Sequence, residues 1–248
     1  MGSQKRTRGV VKMLLEREGI NVKTRFGPSP LLCAAVGGHQ GVVKILLEQK
    51  DVNPDEPDTI YGGTPLSRAA EGGYEGIVKM LLEREEVNPD RVDGWFGQTP
   101  LSRAAEGGHE GVVKMLLERE EVNPERGDGL FDRTPLWRAA VRRHKGVVKM
   151  LLEREEVNPD SVDTDSGRTP LPWAASRGHE VVVKMLLERE EVNPEHVDTE
   201  YGRTPLSWAA EGGHVGVVEM LLEREEVNPD HVDTKNGRTP LSLSAMGG

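Results

Sequence analysis

The triplet Thr-Pro-Leu returns along this chain at a fixed interval, and that regularity constrains the fold more than any other feature. Its prolines are Pro65, Pro100, Pro135, Pro170, Pro205 and Pro240, each 35 residues after the last, and Ser29-Pro30-Leu31 is an altered copy one step earlier. Six full repeats follow from this ruler: residues 27–61, 62–96, 97–131, 132–166, 167–201 and 202–236. A half repeat, 9–26, precedes them, and a truncated repeat, 237–248, follows. Self-similarity at such a period predicts small modules that bury their apolar sides against neighbours rather than in one central interior. Residues 1–248 are therefore expected to form a single repeat domain. An aromatic content of only 4% fits, since each module needs only a thin apolar layer.

The repeat at 202–236 shows what one module is made of. Thr204 is a helix cap, and Pro205 suits the first helical turn, where its missing N–H costs nothing. Leu206, Ala209 and Ala210 then give a short helix with a small, tightly packing face. Gly212-Gly213 breaks it, and Gly216 opens a second helix with an apolar stripe of Val217, Val218, Met220, Leu221 and Leu222. Its outer face is charged, as Lys114 and Glu118 illustrate in an earlier copy. Asn228-Pro229 is expected to end that helix, because a residue before proline is pushed out of helical geometry. The polar stretch from Asp230 to Asn236, followed by Gly237, reads as a projecting hairpin loop. In the half repeat the second helix is expected at Val10–Glu18.

This combination of Thr-Pro-Leu-x-x-Ala-Ala, then Gly-His, then Val-Val-x-x-Leu-Leu resembles the ankyrin repeat over residues 9–246. The resemblance implies an all-α fold: a right-handed α-solenoid of stacked helix-turn-helix repeats with projecting hairpin loops. The near-identical blocks at 79–89, 114–124, 149–159 and 184–194 resemble fungal-type arrays, which are often attached to nucleotide-binding signalling domains. There are departures from the family pattern. The repeat has 35 residues rather than ~33, Glu85-Glu86 replaces the helix-ending glycine, and the loop beyond the asparagine gains three residues. The half repeat keeps Gly19 and has a shorter loop, Asn21 to Pro30. The family's histidine after Thr-Pro-Leu is Ser, Trp, Pro or Leu here, which puts one customary inter-repeat hydrogen bond in question but not the fold.

Charge and motif content narrow the function. A net charge of −10 argues against nucleic acid as the partner and, more weakly, against an anionic membrane. Cys33 is the only cysteine, so no internal disulfide can form, and no apolar run approaches the ~20 residues of a membrane span. The polar, basic residues 1–8 do not read as a secretory signal, so the expected location is the cytoplasm or the nucleus. His39, His109, His144, His179 and His214 recur at one repeat position, with Tyr74 filling the remaining place, and a spacing of one repeat sets neighbours about 10 Å apart, too far to share a metal. They read as rings tied to the turn between helices. His196 and His231, beside Asp198 and Asp233, are weak candidates for metal binding. Asp163-x-Asp165-x-Gly167 lacks the later ligands of a calcium loop. Exposed pairs such as Glu85-Glu86 lack the environment of an acid catalyst. No phosphate-binding glycine loop and no nucleophile triad stands apart from the repeat. The expectation is a protein that is not an enzyme, with no catalytic, cofactor or metal site.

Differences between copies are more informative than sameness. The family resemblance implies partner binding through hairpin tips and the exposed side of the first helix, which together form a concave groove. Three sets of variable residues fall there. At the tips, Ile60, Trp95 and Leu130 are large and apolar where later copies carry Asp165, Glu200 and Lys235, and exposed strips of this kind mark contact sites. The residue after each is usually aromatic and reads as packing on a neighbouring loop. On the first helix, Arg68, Arg103 and Arg138 give way to Trp173 and Trp208, residue types enriched at binding hot spots. The competing reading has these side chains covering the next repeat, with Glu71 and Glu106 neutralising the arginines. In the divergent repeat 132–166, Arg142 and Arg143 replace a Gly-Gly pair, and Trp137 and Lys145 are added. That basic cluster suits an acidic partner, and drift of a decaying repeat is the alternative.

The expected function is a non-catalytic protein-protein interaction scaffold, monomeric, whose partner presents apolar and acidic groups. The alternative is a structural or ligand-sensing segment of a larger nucleotide-dependent signalling receptor.

Overall fold

A computed structural model describes residues 2–17 and 27–247, with side chains from Thr7 onward. Gly19 and the start of the short loop from Asn21 lie outside the described residues. Fourteen helices and no strand occur among the residues described. The chain divides into two compact bodies, one ending at Asn123 and the other beginning at Pro124.

The first body opens with α1 (Gly2–Leu15) and continues with three helix pairs. These are α2 (Pro30–Val36) with α3 (Gln40–Leu47), α4 (Pro65–Glu71) with α5 (Glu75–Leu82), and α6 (Pro100–Gly107) with α7 (Glu110–Leu117). The second body holds α8 (Pro135–Val141) with α9 (Lys145–Leu152), and α10 (Pro170–Ser176) with α11 (Glu180–Leu187). It ends with α12 (Pro205–Glu211) and α13 (Val215–Leu222), then α14 (Pro240–Ser244). Within each body, first helices pack on first helices and second on second, while each pair closes on itself. The repeat period predicts this stacking, in which Leu66, Leu101, Leu136, Leu171 and Leu206 are all essentially inaccessible to solvent.

The Thr-Pro start works as a cap. Thr64, Thr99, Thr134, Thr204 and Thr239 each accept the backbone N–H three residues on, at 3.1–3.3 Å. Thr169 does not, because the residue in the donor position is Pro172, which has no N–H. The serine that replaces the family histidine stays local: Ser67 Oγ donates back to the Thr64 carbonyl at 3.0 Å.

Two helix boundaries differ from the sequence expectation. The second helices stop at residues such as Leu82 and Leu222, well before Asn-Pro. Beyond them the bonds tighten to i→i+3, as in Arg224 N–H to Leu221 C=O and Val227 N–H to Arg224 C=O. The tightening turns Val87, Val122, Val157, Val192 and Val227 inward, where they are buried. It also aims the intervening arginine at the previous repeat: Arg84 donates to the Leu47 carbonyl, and Arg224 to that of Leu187 at 2.7 Å. The proline thus begins a separate turn. Helix α1 starts at Gly2 rather than Val10, since Gln4, Lys5, Arg6 and Arg8 are good helix formers and no Gly-Gly pair stops them.

The repeat at 132–166 carries its divergence as backbone strain. Arg143 has φ +63°, the left-handed geometry that Gly108 and Gly178 adopt at the same position. The histidine bond from the next repeat also differs here. His109 and His214 use Nε2 on the carbonyls of Glu71 and Ser176, at 2.9 and 3.0 Å, whereas His179 uses Nδ1 on the carbonyl of Ala140 at 3.2 Å. We expect Arg143→Gly to stabilise the second body by about 1 kcal/mol in urea denaturation, the relief of strain outweighing the added freedom of the unfolded chain. Burial, followed by the charges of Arg143 and Arg177, also lowers the His179 pKa despite its bond to Ala140. A depressed histidine loses stability as pH falls below 6.5, where the unfolded chain takes the proton first, and Arg143→Gly should soften that loss.

Candidate docking surface

Each projecting loop is organised by one aspartate: Asp58, Asp93, Asp128, Asp163, Asp198 or Asp233. Its backbone N–H reaches the carbonyl five residues on, closing the loop, as from Asp93 to Gln98 at 3.0 Å. Its Oδ1 takes backbone N–H groups at the tip, such as Phe96 at 3.0 Å and Gln98 at 3.3 Å for Asp93. Successive tips are joined by main chain, with Gly94 N–H on the Tyr61 carbonyl at 2.9 Å and Thr199 N–H on that of Ser166 at 2.9 Å.

The second carboxylate oxygen holds the variable residue of the first helix. Arg68 reaches Asp58 at 3.4 Å, Arg103 Nε reaches Asp93 at 3.0 Å, and Arg138 pairs with Asp128. Trp173 and Trp208 donate their indole N–H to Asp163 and Asp198 at 3.1 and 2.8 Å. Arginine and tryptophan therefore do the same job here, fastening a tip to a helix. In the tryptophan repeats a guanidinium arrives from five residues earlier and lies on the ring, Arg168 at 4.8 Å from Trp173 and Arg203 at 4.7 Å from Trp208, and Arg168 also lies 3.7 Å from Trp208 in the next repeat. In the arginine repeat at 62–96 that earlier position is Gly63, where a Cβ would sit 2.6 Å from Arg68 Nε.

Burial raises the carboxyl pKa of Asp163, but N–H donation from Ser166, the Trp173 indole and the Ser166 hydroxyl outweighs it and holds the group below the ordinary range. Asp58 and Asp233 are lowered in the same way, burial again being overcome by tip N–H groups. Four acids, each three residues before a tip aspartate, shift upward. In Asp55, Glu125, Asp160 and Glu195 burial dominates the donors that face them. These acids bridge repeats: Asp160 accepts the Asn193 N–H at 2.7 Å and Glu125 the Ser161 hydroxyl at 2.9 Å. The two groups of acids act oppositely on stability. The lowered acids contribute above the unfolded value of 3.8, and that contribution is lost as pH falls through their folded pKa. The raised acids oppose folding once pH climbs past their unfolded values, 3.8 for Asp and 4.5 for Glu, and through their folded pKa. Asp160→Asn keeps the acceptor and removes the buried charge. It should raise the denaturation midpoint slightly at pH 7 and leave it unchanged near pH 3, a difference that a pH series of urea melts reads directly.

Ile60 and Trp95 lie on the first body with 64% exposure each. Together with Tyr61, Phe96, Leu32, Cys33 and Val36 they line a cavity of about 700 Å³ floored by Arg68, Glu71 and Arg103. The rings form one wall: Tyr61 meets Trp95 edge-on at 5.8 Å, and Trp95 meets Phe96 at 6.0 Å. Glu71 bridges both floor arginines at 3.0 Å, while Glu106 accepts from Gln98. On the second body Leu130 is an exposed tip, 52% accessible, and Arg142 and Arg143 are exposed in the turn between helices. Trp137 is buried, packed edge-on against Trp173 at 5.6 Å under the Arg133 guanidinium. His196 and His231 each bond a backbone carbonyl, of Gly167 and Gly202, at 2.8 and 2.9 Å. Among the described residues no group of three or more His, Cys, Asp or Glu side chains is placed to hold a metal ion, and no helix is long and apolar enough to cross a membrane.

The sequence reading missed the tip aspartate, although its recurrence ten residues before every variable helix position was visible. It also missed Leu32 and Val36, which the first helix places beside the tips.

A family model described as ankyrin repeats (three copies) matches residues 3–93, 85–163, 155–233 and 190–248. Among solved structures, the human ASB11 ankyrin repeat domain is similar with a TM-score of 0.72 and 28% identity, over 88% of this chain and 92% of that one. The ankyrin repeat domain of Bcl-3, described as a unique member of the IkappaB protein family, has a TM-score of 0.71 over 88% of this chain and 95% of its own; its 24% identity marks a shared fold alone. No curated protein matches the sequence. With a family model spanning nearly all of its length and the same stacked helix pairs, the chain belongs to the ankyrin repeat family.

Proposed function

We propose that the chain is a non-catalytic scaffold that binds another protein through its hairpin tips and first helices. Ankyrin repeats typically mediate such contacts. The observation that carries this reading is the cavity of the first body, where Ile60, Tyr61, Trp95 and Phe96 stand exposed together. Four large apolar side chains held in water by two hydrogen-bonded loops favour association, because a preformed surface loses less conformational entropy on binding. The exposed Arg142 and Arg143 on the second body suit acidic groups.

The test is affinity capture from a cell extract with the wild-type chain and a variant carrying Ile60→Ser, Trp95→Ser and Leu130→Ser. A partner retained by the wild type and lost by the variant, at unchanged thermal melting, supports the reading. Equal retention by both overturns it.

A further inference from the structure

We propose that the cavity of the first body takes an apolar polypeptide segment flanked by lysine or arginine. The proposal rests on reading this surface as a docking site and adds the charge of what docks. Counting arginines alone points to an acidic occupant. The pairing of those arginines points the other way.

Arg68 and Arg103 lie beneath the surface, their side chains 18% and 10% exposed. Each grips the aspartate of the tip just before its helix, Asp58 or Asp93, and both converge on Glu71. Two cations thus face three carboxylates, leaving one negative charge. Of the five groups Glu71 is the one most open to solvent, its side chain 49% exposed, against 10% for Asp58 and 1% for Asp93. An arriving carboxylate would meet Glu71 and find guanidinium donors already directed at other acids. An arriving ammonium or guanidinium would meet the exposed edge of Glu71. The net charge of −10 adds long-range attraction of the same sign.

The walls specify the remainder. Trp95, Ile60 and Val36 are 64%, 64% and 55% exposed around the cavity, and its volume of about 700 Å³ admits several large side chains. An apolar run seated between them would place flanking residues over the Arg68–Glu71–Arg103 floor.

The experiment is selection of a phage-displayed random peptide library on the immobilised chain. Selected peptides are then measured by fluorescence anisotropy against wild type, Trp95→Ala and Glu71→Gln. Glu71→Gln leaves Asp58 and Asp93 on the arginines, so the floor stays folded. The expected result is peptides with adjacent apolar residues beside Lys or Arg, whose binding collapses with Trp95→Ala and weakens about tenfold with Glu71→Gln. Peptides that need Trp95 but carry acids, or that ignore Glu71→Gln, overturn this inference and leave the docking surface standing. No enrichment, or peptides indifferent to Trp95→Ala, overturns the docking surface and the inference together.

Discussion

Replacing Asp93 with Ala is expected to destabilise the first body by about 3 kcal/mol, the lower end of the cost of breaking a buried ion pair from one side. Its side chain is 1% exposed and receives two tip N–H groups together with the guanidinium of Arg103, itself 10% exposed. Removal strands a buried cation and two backbone donors at once. Glu71 retains one hold on Arg103, which is why the expectation sits at the low end of the range. Asp93→Asn should fall between, since an amide oxygen can still accept from Phe96 and Gln98 while the charge is gone. Urea denaturation gives the magnitude, and limited proteolysis near Trp95 shows whether the tip opens first. A loss under about 1 kcal/mol would mean that the main-chain bond from Gly94 to Tyr61 holds the tip unaided.

Trp95→Ala should do the reverse, leaving the fold intact and removing binding. At 64% exposure the indole contributes little to the core, and losing its edge contact with Tyr61 should cost no more than about 1 kcal/mol. An exposed tryptophan beside an apolar cavity is the type of residue whose truncation costs about 2 kcal/mol or more of binding, roughly a thirtyfold weakening. The comparison is made by titrating the captured partner against both chains and melting each alone. Parallel loss of stability and binding would make Trp95 a structural residue of the tip. Arg103→Ala separates the two roles less cleanly, because Arg103 fastens the tip to Asp93 as well as flooring the cavity.

The architecture was legible because the repeat writes it locally. A Thr-Pro pair specifies a helix start through cap and fixed φ, a Gly-Gly pair specifies its end, and a fixed period excludes a shared interior. Helix ends were less legible. Asn-Pro forbids helix at one residue, but the turn that comes earlier depends on valine and arginine side chains finding partners in the neighbouring repeat. The candidate site was half visible: Ile60 and Trp95 stood out as apolar residues in polar loops, whereas the meaning of Arg68, Arg103, Trp173 and Trp208 did not.

The sequence by itself determined the module, its period and which positions vary, since these follow from short-range geometry and from a count. Only the tertiary structure decided that an arginine and a tryptophan at one helix position answer to the same aspartate ten residues back. It also decided that the charge facing outward at the cavity floor belongs to Glu71 rather than to its arginines. Whether a charge is available to a partner depends on what already neutralises it, and for Arg103 that is Asp93 together with Glu71, the latter brought within 3.0 Å by stacking.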